Sequence, residues 1–486
     1  MPSATPRPTA APASPVTPRS AAAPTAPVTP RPYGAPVRPG LRPDHPREHA
    51  RAVPPVAAPA HTDSAEPPQG RHRRAPEEQA SYREVFAIRE FRGLWVAQVM
   101  SYAGDQFAQV AIAILVYRQT GSPLLTTLAY ALTYLPPIGG PLLSGLADLF
   151  PRRRVMIVCD VIRAGLVAAM AVPSMPFAGL CGLLFCAVLL GAPFSSARSA
   201  LLPDILPGDK FVAGSAIGNI SFQASQILGF VAGAAVVATL NPYRTLATDA
   251  LSFVLSAVIV AGWVKRRRSP HRYPGKRPSL WAVSRDGLTM VFGNPVLRML
   301  LLFGWLAGFC IVPEGLAAPY AHSLNGNALD VGLLMAAMPF GTVIGAFAFG
   351  RLVPPSGRIR MMGWLAMGSC APLIGSAFNP PLWAVLILWA LAGAGGAYQL
   401  AAAAAFVQTV APEGRARAFG LAQSGLLAVQ GLGILAGGAL ASLIGAPVAV
   451  GLAGLLGLCA AAILTMGWTV RRGEVIAAMR ARSADR

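Results

Sequence analysis

Twelve apolar runs of roughly 20 residues follow one another between about residues 94 and 469, and no soluble fold can bury them all. A helix rises 1.5 Å per residue, so about 20 apolar residues cross a hydrocarbon core about 30 Å thick. The runs lie at about 94–117, 124–148, 155–173, 176–197, 212–237, 243–264, 297–320, 329–352, 359–377, 381–405, 416–441 and 445–469. Lipid offers the backbone no hydrogen-bond partners, so each run must be a helix rather than an open strand. Only 12% of the residues are charged, against about 25% in soluble domains, which excludes an ordinary soluble globule.

The few charges are unevenly placed. The even-numbered connections carry Arg152, Arg153 and Arg154, then Lys210, then Lys265-Arg266-Arg267-Arg268 with Lys276 and Arg277, then Arg358 and Arg360, then Arg415. The odd-numbered connections carry only Arg118 and Arg244. By the positive-inside rule, both termini and the long connection at about 265–296 are cytoplasmic, in a multi-pass protein of the plasma membrane. The formal charge of +20 sits in a tail and in loops, not in a stripe on a soluble domain, so no nucleic-acid partner is expected.

Residues 1 to about 80 hold 20 of the 45 prolines and almost no aromatic residue beyond Tyr33. Such a segment buries nothing, and a disordered cytoplasmic tail is expected. A second, short cytoplasmic tail is expected at 471–486. No apolar core follows the early basic residues before about Leu94, which argues against a signal peptide. Cys159, Cys181, Cys186, Cys310, Cys370 and Cys459 fall in or beside the apolar spans with no Cys-x-x-Cys pair, so neither a disulfide framework nor a metal site is implied.

An internal repeat divides the chain. Gln226-Ile227-Leu228-Gly229-Phe230-Val231-Ala232-Gly233-Ala234-Ala235 aligns with Gln430-Gly431-Leu432-Gly433-Ile434-Leu435-Ala436-Gly437-Gly438-Ala439. The fifth and eleventh spans therefore correspond, six helices apart. Gly229 and Gly233 lie four residues apart on one helix face, as do Gly433 and Gly437, and such spacing lets helix backbones approach closely in lipid. The expected division is a six-helix half at 81–264, a basic linker at 265–296 and a second six-helix half at 297–470.

The turn Ser144-Gly145-Leu146-Ala147-Asp148-Leu149-Phe150-Pro151-Arg152-Arg153-Arg154 lies between the second and third spans. It resembles the loop signature of the major facilitator superfamily (MFS) of secondary transporters, Gly-x-x-x-Asp-Arg/Lys-x-Gly-Arg-Arg/Lys. Asp148 and the closing arginines match, while Ser144, Leu149 and Pro151 depart from the pattern. Leu115-Val116-Tyr117-Arg118-Gln119-Thr120-Gly121-Ser122-Pro123 and Leu201-Leu202-Pro203-Asp204 look like the branch that holds macrolide and siderophore exporters. The resemblance covers about residues 82–470. It implies an all-α fold of 12 transmembrane helices in two pseudo-symmetric halves, and proton-coupled efflux, by antiport, of a small amphipathic compound such as a drug, macrolide or siderophore. A uniporter or importer of a small metabolite, or a transport-inactive receptor or scaffold on the same fold, stays open.

Ionisable residues inside spans are costly and mark function by default. Asp105 near the middle of the first span, Asp249 in the sixth and Glu314 in the seventh could take and release protons as solvent access changes. Asp160 and Arg163, spaced i, i+3, can pair on one helix face. With Asp148, Arg152, Arg153 and Arg198 they would form a cytoplasmic layer, either a conformational latch or a static ion-pair network. Asn219, Gln223, Gln226, Tyr398, Gln399, Gln423 and Gln430 could face a substrate, or pack helix on helix.

An ATP-driven pump would need a Gly-x-x-x-x-Gly-Lys-Ser/Thr run, and Gly275-Lys276 is followed by Arg277 and Pro278. A membrane enzyme would need a convergent set such as His with Asp or Ser, and the spans hold no His except His322 at one edge. The expected partners are a small molecule, protons and the bilayer, with no cofactor and a monomeric protein. Within the linker, Leu280, Trp281, Val283, Leu288, Met290 and Val291 suggest an amphipathic helix at the membrane surface.

Overall fold

A computed structural model describes residues 81–139, 150–267, 280–411 and 414–484, and every regular element among them is helical. The proline-rich tail, Asp148 with the Ser144–Leu149 part of the loop signature, and Lys276 and Arg277 lie outside the described residues.

Ten helices among the described residues are long and apolar enough to cross a membrane: Arg89–Thr120, Phe177–Ile205, Asp209–Leu240, Pro242–Trp263, Pro295–Gly315, Ala328–Leu352, Gly357–Phe378, Leu382–Thr409, Arg417–Ile444 and Ala446–Arg471. They correspond to the first and to the fourth to twelfth spans. Helix Pro123–Ala131 opens the second span, and helix Arg152–Met170 fills the place of the third. The third escapes a hydropathy test because Arg152, Arg153, Arg154, Asp160 and Arg163 all lie on its 19 residues. The chain is an all-α integral membrane protein.

Several helices run beyond their apolar stretches. The first stops at Gly121, whose φ of 61° is a left-handed conformation that favours glycine, and whose N–H caps the Tyr117 carbonyl. The fourth was expected to end at residue 197 and instead continues to Ile205, because the Arg198 side chain turns into the bundle rather than out to a loop. The twelfth continues past Arg471 to Ala484. In the linker, helix Leu280–Gly293 matches the amphipathic stretch. A Cβ on its Gly287 would come within 3.2 Å of the Arg417 carbonyl oxygen, so it packs on the start of the eleventh span.

The repeat is visible in the packing. Gly229 and Gly233 bring the fifth span onto the first, where added Cβ atoms would lie 2.7 Å from Gln106 Cβ and 2.9 Å from Phe107 Cα. Gly433 and Gly437 bring the eleventh onto the seventh, against Gly308 and Val312. Fifth on first and eleventh on seventh are the same contact, six helices apart. Within each half the remaining helices close the bundle, the first and third on the sixth, the ninth on the twelfth, and the eighth on the tenth.

The halves meet along two seams, the fifth span with the eighth and the second with the eleventh. The close approaches lie toward the Thr120 end of the bundle. A Cβ on Gly332 would sit 2.6 Å from the Phe230 carbonyl oxygen, and one on Gly438 would sit 2.7 Å from Thr127 Cβ. The rings of Tyr117 and His322 touch edge to face at 5.3 Å across the same end.

Candidate functional site

Three neighbouring cavities in the first half share their walls and run from the Arg89 end toward mid-bundle. The first, about 410 Å³, lies between the first, fourth and fifth spans and includes Trp95, Gln98, Tyr102, Arg198, Asn219 and Phe222. The second, about 340 Å³, shares Gln98, Tyr102 and Arg198 with it and adds Asp105 and Arg163. The third, about 270 Å³, keeps Tyr102, Asp105 and Arg163 and adds Gln106, Gln109, Gln226, Asp249 and Leu427 of the eleventh span. The wall is aromatic and apolar with a few placed polar groups, the usual make-up of a small-molecule site.

Asp105 sits where the second and third cavities join. Its Oδ1 accepts from Arg163 Nη2 at 2.8 Å, and the guanidinium carbon lies 4.0 Å over the Phe253 ring. The Asp105 side chain is 31% exposed and that of Arg163 is 9% exposed, so the pair reaches the cavity through its carboxylate. The pairing of Asp160 with Arg163 expected from their spacing does not occur in this state. Asp160 is fully buried and accepts at Oδ2 from Ser256 Oγ at 2.7 Å, while Arg163 reaches across to the first span, where Asp105 is the more exposed carboxylate.

Asp249 is buried against the first span and accepts from Ser252 at 3.2 Å. Gly104 makes this possible, since any side chain there would collide with Asp249 Oδ1 and Ser252 Oγ. Three carboxylates and one guanidinium thus gather on the first, third and sixth spans. Buried charges of unequal number cost free energy unless protons or a bound cation make up the balance.

The remaining latch residues divide into separate contacts. Arg152 pairs with Asp204 at 2.5 Å and donates to the Ala200 carbonyl at 2.8 Å. Arg153 donates to the carbonyls of Val260 and Ala261 at the end of the sixth span. Arg198 donates to Gln98 Oε1 at 2.5 Å, and Gln98 Nε2 donates to the Tyr102 hydroxyl at the same distance. The five latch residues among the described ones do not form one cluster; Arg163 and Asp160 lie deeper than Arg152 and Arg153.

Glu314 lies on the seam between halves and lines none of these three cavities. It is 5% exposed and accepts at Oε2 from the Tyr130 hydroxyl of the second span at 3.1 Å. The seventh span is helical in pieces around it, Pro295–Trp305, Ala307–Cys310, Val312–Gly315 and Ala317–Ser323. Pro313 has no N–H to give the helix ladder, and Glu314 bonds back three residues to Ile311 instead of four.

Among the substrate candidates, Asn219 and Gln226 line the cavities. Gln223 and Gln430 are half-buried on the fifth and eleventh spans, Gln399 is half-buried on the tenth, and Gln423 is exposed. Tyr398 is fully buried in the second half and donates to the Phe303 carbonyl at 3.1 Å. Tyr130, Ser256, Gln98 and Phe253 were missed by reading the sequence, since uncharged residues in apolar runs carry no local mark. Glu90 was missed too. It lies at the start of the first span, buried, and receives both terminal nitrogens of Arg267 and the Lys265 backbone N–H.

Comparison with known proteins adds the family. The model of the Major Facilitator Superfamily matches residues 94–313 and 315–481, nearly all of both halves. The chain is 27% identical over 310 residues to a protein named Multidrug efflux pump Tap of Mycobacterium tuberculosis, covering 61% of this chain and 74% of that one. It is 23% identical over 397 residues to Macrolide efflux protein A of Streptococcus pyogenes, covering 79% and 97%. In structure it resembles the nucleoside transporter NupG, with a TM-score of 0.61 at 14% identity over 78% of this chain and 99% of that one. With helices, repeat and family model in agreement across both halves, the chain belongs to the Major Facilitator Superfamily of multi-pass membrane transporters.

Proposed function

We propose that this transporter is a proton-coupled exporter, an antiporter of a small amphipathic compound of the drug or macrolide kind. The observation that carries the reading is the Asp105–Arg163 pair at the junction of the cavities, a half-open carboxylate whose counter-charge is buried. A carboxylate so placed can exchange its proton or a bound cationic group according to which side of the membrane the cavity faces. The relatives named as efflux pumps support the direction and the substrate class.

Both termini are taken as cytoplasmic from the basic connections. The Thr120 end then faces outward, and the described state is the one closed to the outside. Asp249 shares the buried charge balance with Asp105. Glu314, hydrogen-bonded to Tyr130 across the seam, is read as the group that senses closure, and Arg152, Arg153, Asp160, Arg163 and Arg198 as the inner layer that rearranges when access switches. Asn219 and Gln226 are the polar groups a substrate would meet first. The protein works as a monomer, with the halves rocking about the central cavity.

Everted membrane vesicles acidified inside should accumulate a radiolabelled macrolide, and a protonophore should abolish the accumulation. Accumulation indifferent to the proton gradient would replace the antiporter by a uniporter.

A further inference from the structure

Two complementary orphans lie one helical turn apart on the third span. Asp160 Oδ1 and Arg163 Nε are both buried, and neither has a hydrogen-bond partner. One is an acceptor and the other a donor, at the i, i+3 spacing that lets side chains meet on one face. In this state Asp105 and Ser256 hold them apart, Asp105 by taking Arg163 Nη2 and Ser256 by taking the other Asp160 oxygen.

We propose that Asp160 is the alternative partner of Arg163. When Asp105 is neutralised, by a proton or by the charged group of a cationic substrate, the guanidinium turns from the first span to Asp160 on its own helix. The Phe253 ring beneath the guanidinium allows this, because a planar cation can swing over an aromatic face while keeping its attraction to the ring. Ser256, three residues from Phe253 on the sixth span, fixes the receiving carboxylate through its far oxygen. Asp160 is thus a positioning residue. It keeps Arg163 from being stranded without a counter-charge at the moment Asp105 gives up its own. The other titratable groups around the guanidinium are Cys159 on the same helix and Asp249 on the sixth span, and Asp249, unlike Asp160, has no buried oxygen left without a partner.

This inference rests on the reading of Asp105 as the exchanged carboxylate, but its test needs neither substrate nor gradient. The full chain is purified in detergent as wild type, Asp105→Asn, Asp160→Asn and the double variant, and unfolding midpoints are measured by heating. Each single variant leaves Arg163 one carboxylate to turn to, and the double variant leaves neither. The expected result is a fall in midpoint for the double variant larger than the two single falls added together, and a return to additivity when Arg163→Met is introduced into all four. If the double variant yields no folded protein, adding Arg163→Met should restore its yield, because the stranded cation is then gone. Additive falls with Arg163 present, non-additivity that persists without it, or failure of Arg163→Met to rescue would each overturn the partner exchange. The reading of the chain as a transporter would stand in those cases.

Discussion

Gly332→Ala should push the molecule out of the described state. Gly332 begins the eighth span and faces the fifth, and an added Cβ would sit 2.6 Å from the Phe230 carbonyl oxygen, with Ala234 also in its way. Ordinary contact begins near 3.4 Å and the Ala234 methyl lies closer still than the carbonyl oxygen, so the helices must part by about 1 Å at this point. Backbone on one side and the rigid Ala234 methyl on the other leave no flexible side chain to yield. Overpacking of this kind costs about 1–3 kcal/mol. The cost falls only on the state in which these helices touch, so the ratio of closed to open at the Thr120 end should drop about 5- to 150-fold. Spin labels on cysteines at Leu240 and Leu329, both exposed near that end of the seam, would report the change as a longer distance population. Gly262→Ala, where nothing lies within 4 Å, is the control and should leave the distances alone. A folded Gly332→Ala protein with the wild-type distance distribution, or an equal shift in the control, would refute the argument that this seam opens and closes.

Four further outcomes are expected. Tyr130→Phe removes the hydroxyl that donates to Glu314, and losing about 1 kcal/mol from the closed seam should raise the open population several-fold in the same distance measurement. Gly433→Ala, packed against Gly308 of the seventh span, should lower thermal stability by about 1–3 kcal/mol, while Gly420→Ala, with no neighbour within 4 Å, should not. Glu90→Ala strips Arg267 and the Lys265 N–H of their shared acceptor, and should cost about 2 kcal/mol and admit protease near Arg267 faster than in the wild type. Gly104→Ala displaces Asp249 from the first span, and should weaken macrolide binding and gradient response with little loss of membrane insertion.

Hydropathy carried most of the fold, because a lipid solvent forces helix on any apolar run long enough to span it. It was least informative at the third span, whose five charges serve the site and the loop, and at the fourth, where Arg198 looked like an end and proved to be a wall of the cavity. The small-residue spacings at Gly229 and Gly433 identified packing faces but not their partners, since a glycine says only that something comes close. Pairing was the least legible level. Arg163 meets Asp105 at a separation of 58 residues and Tyr130 meets Glu314 at 184, distances over which no local pattern reports. The local guess, Asp160 with Arg163, failed in this state because a serine on another helix and a carboxylate on a third offered each of them a better partner.

The central claim is that Asp105 couples transport to the proton gradient, and proteoliposomes test it most directly. With the protein reconstituted and a pH-sensitive dye inside acid-loaded vesicles, adding a macrolide should release protons from the wild type. Asp105→Asn, inserted and folded to the same extent, should bind the macrolide yet release none. Proton release by Asp105→Asn at the wild-type rate would contradict the account.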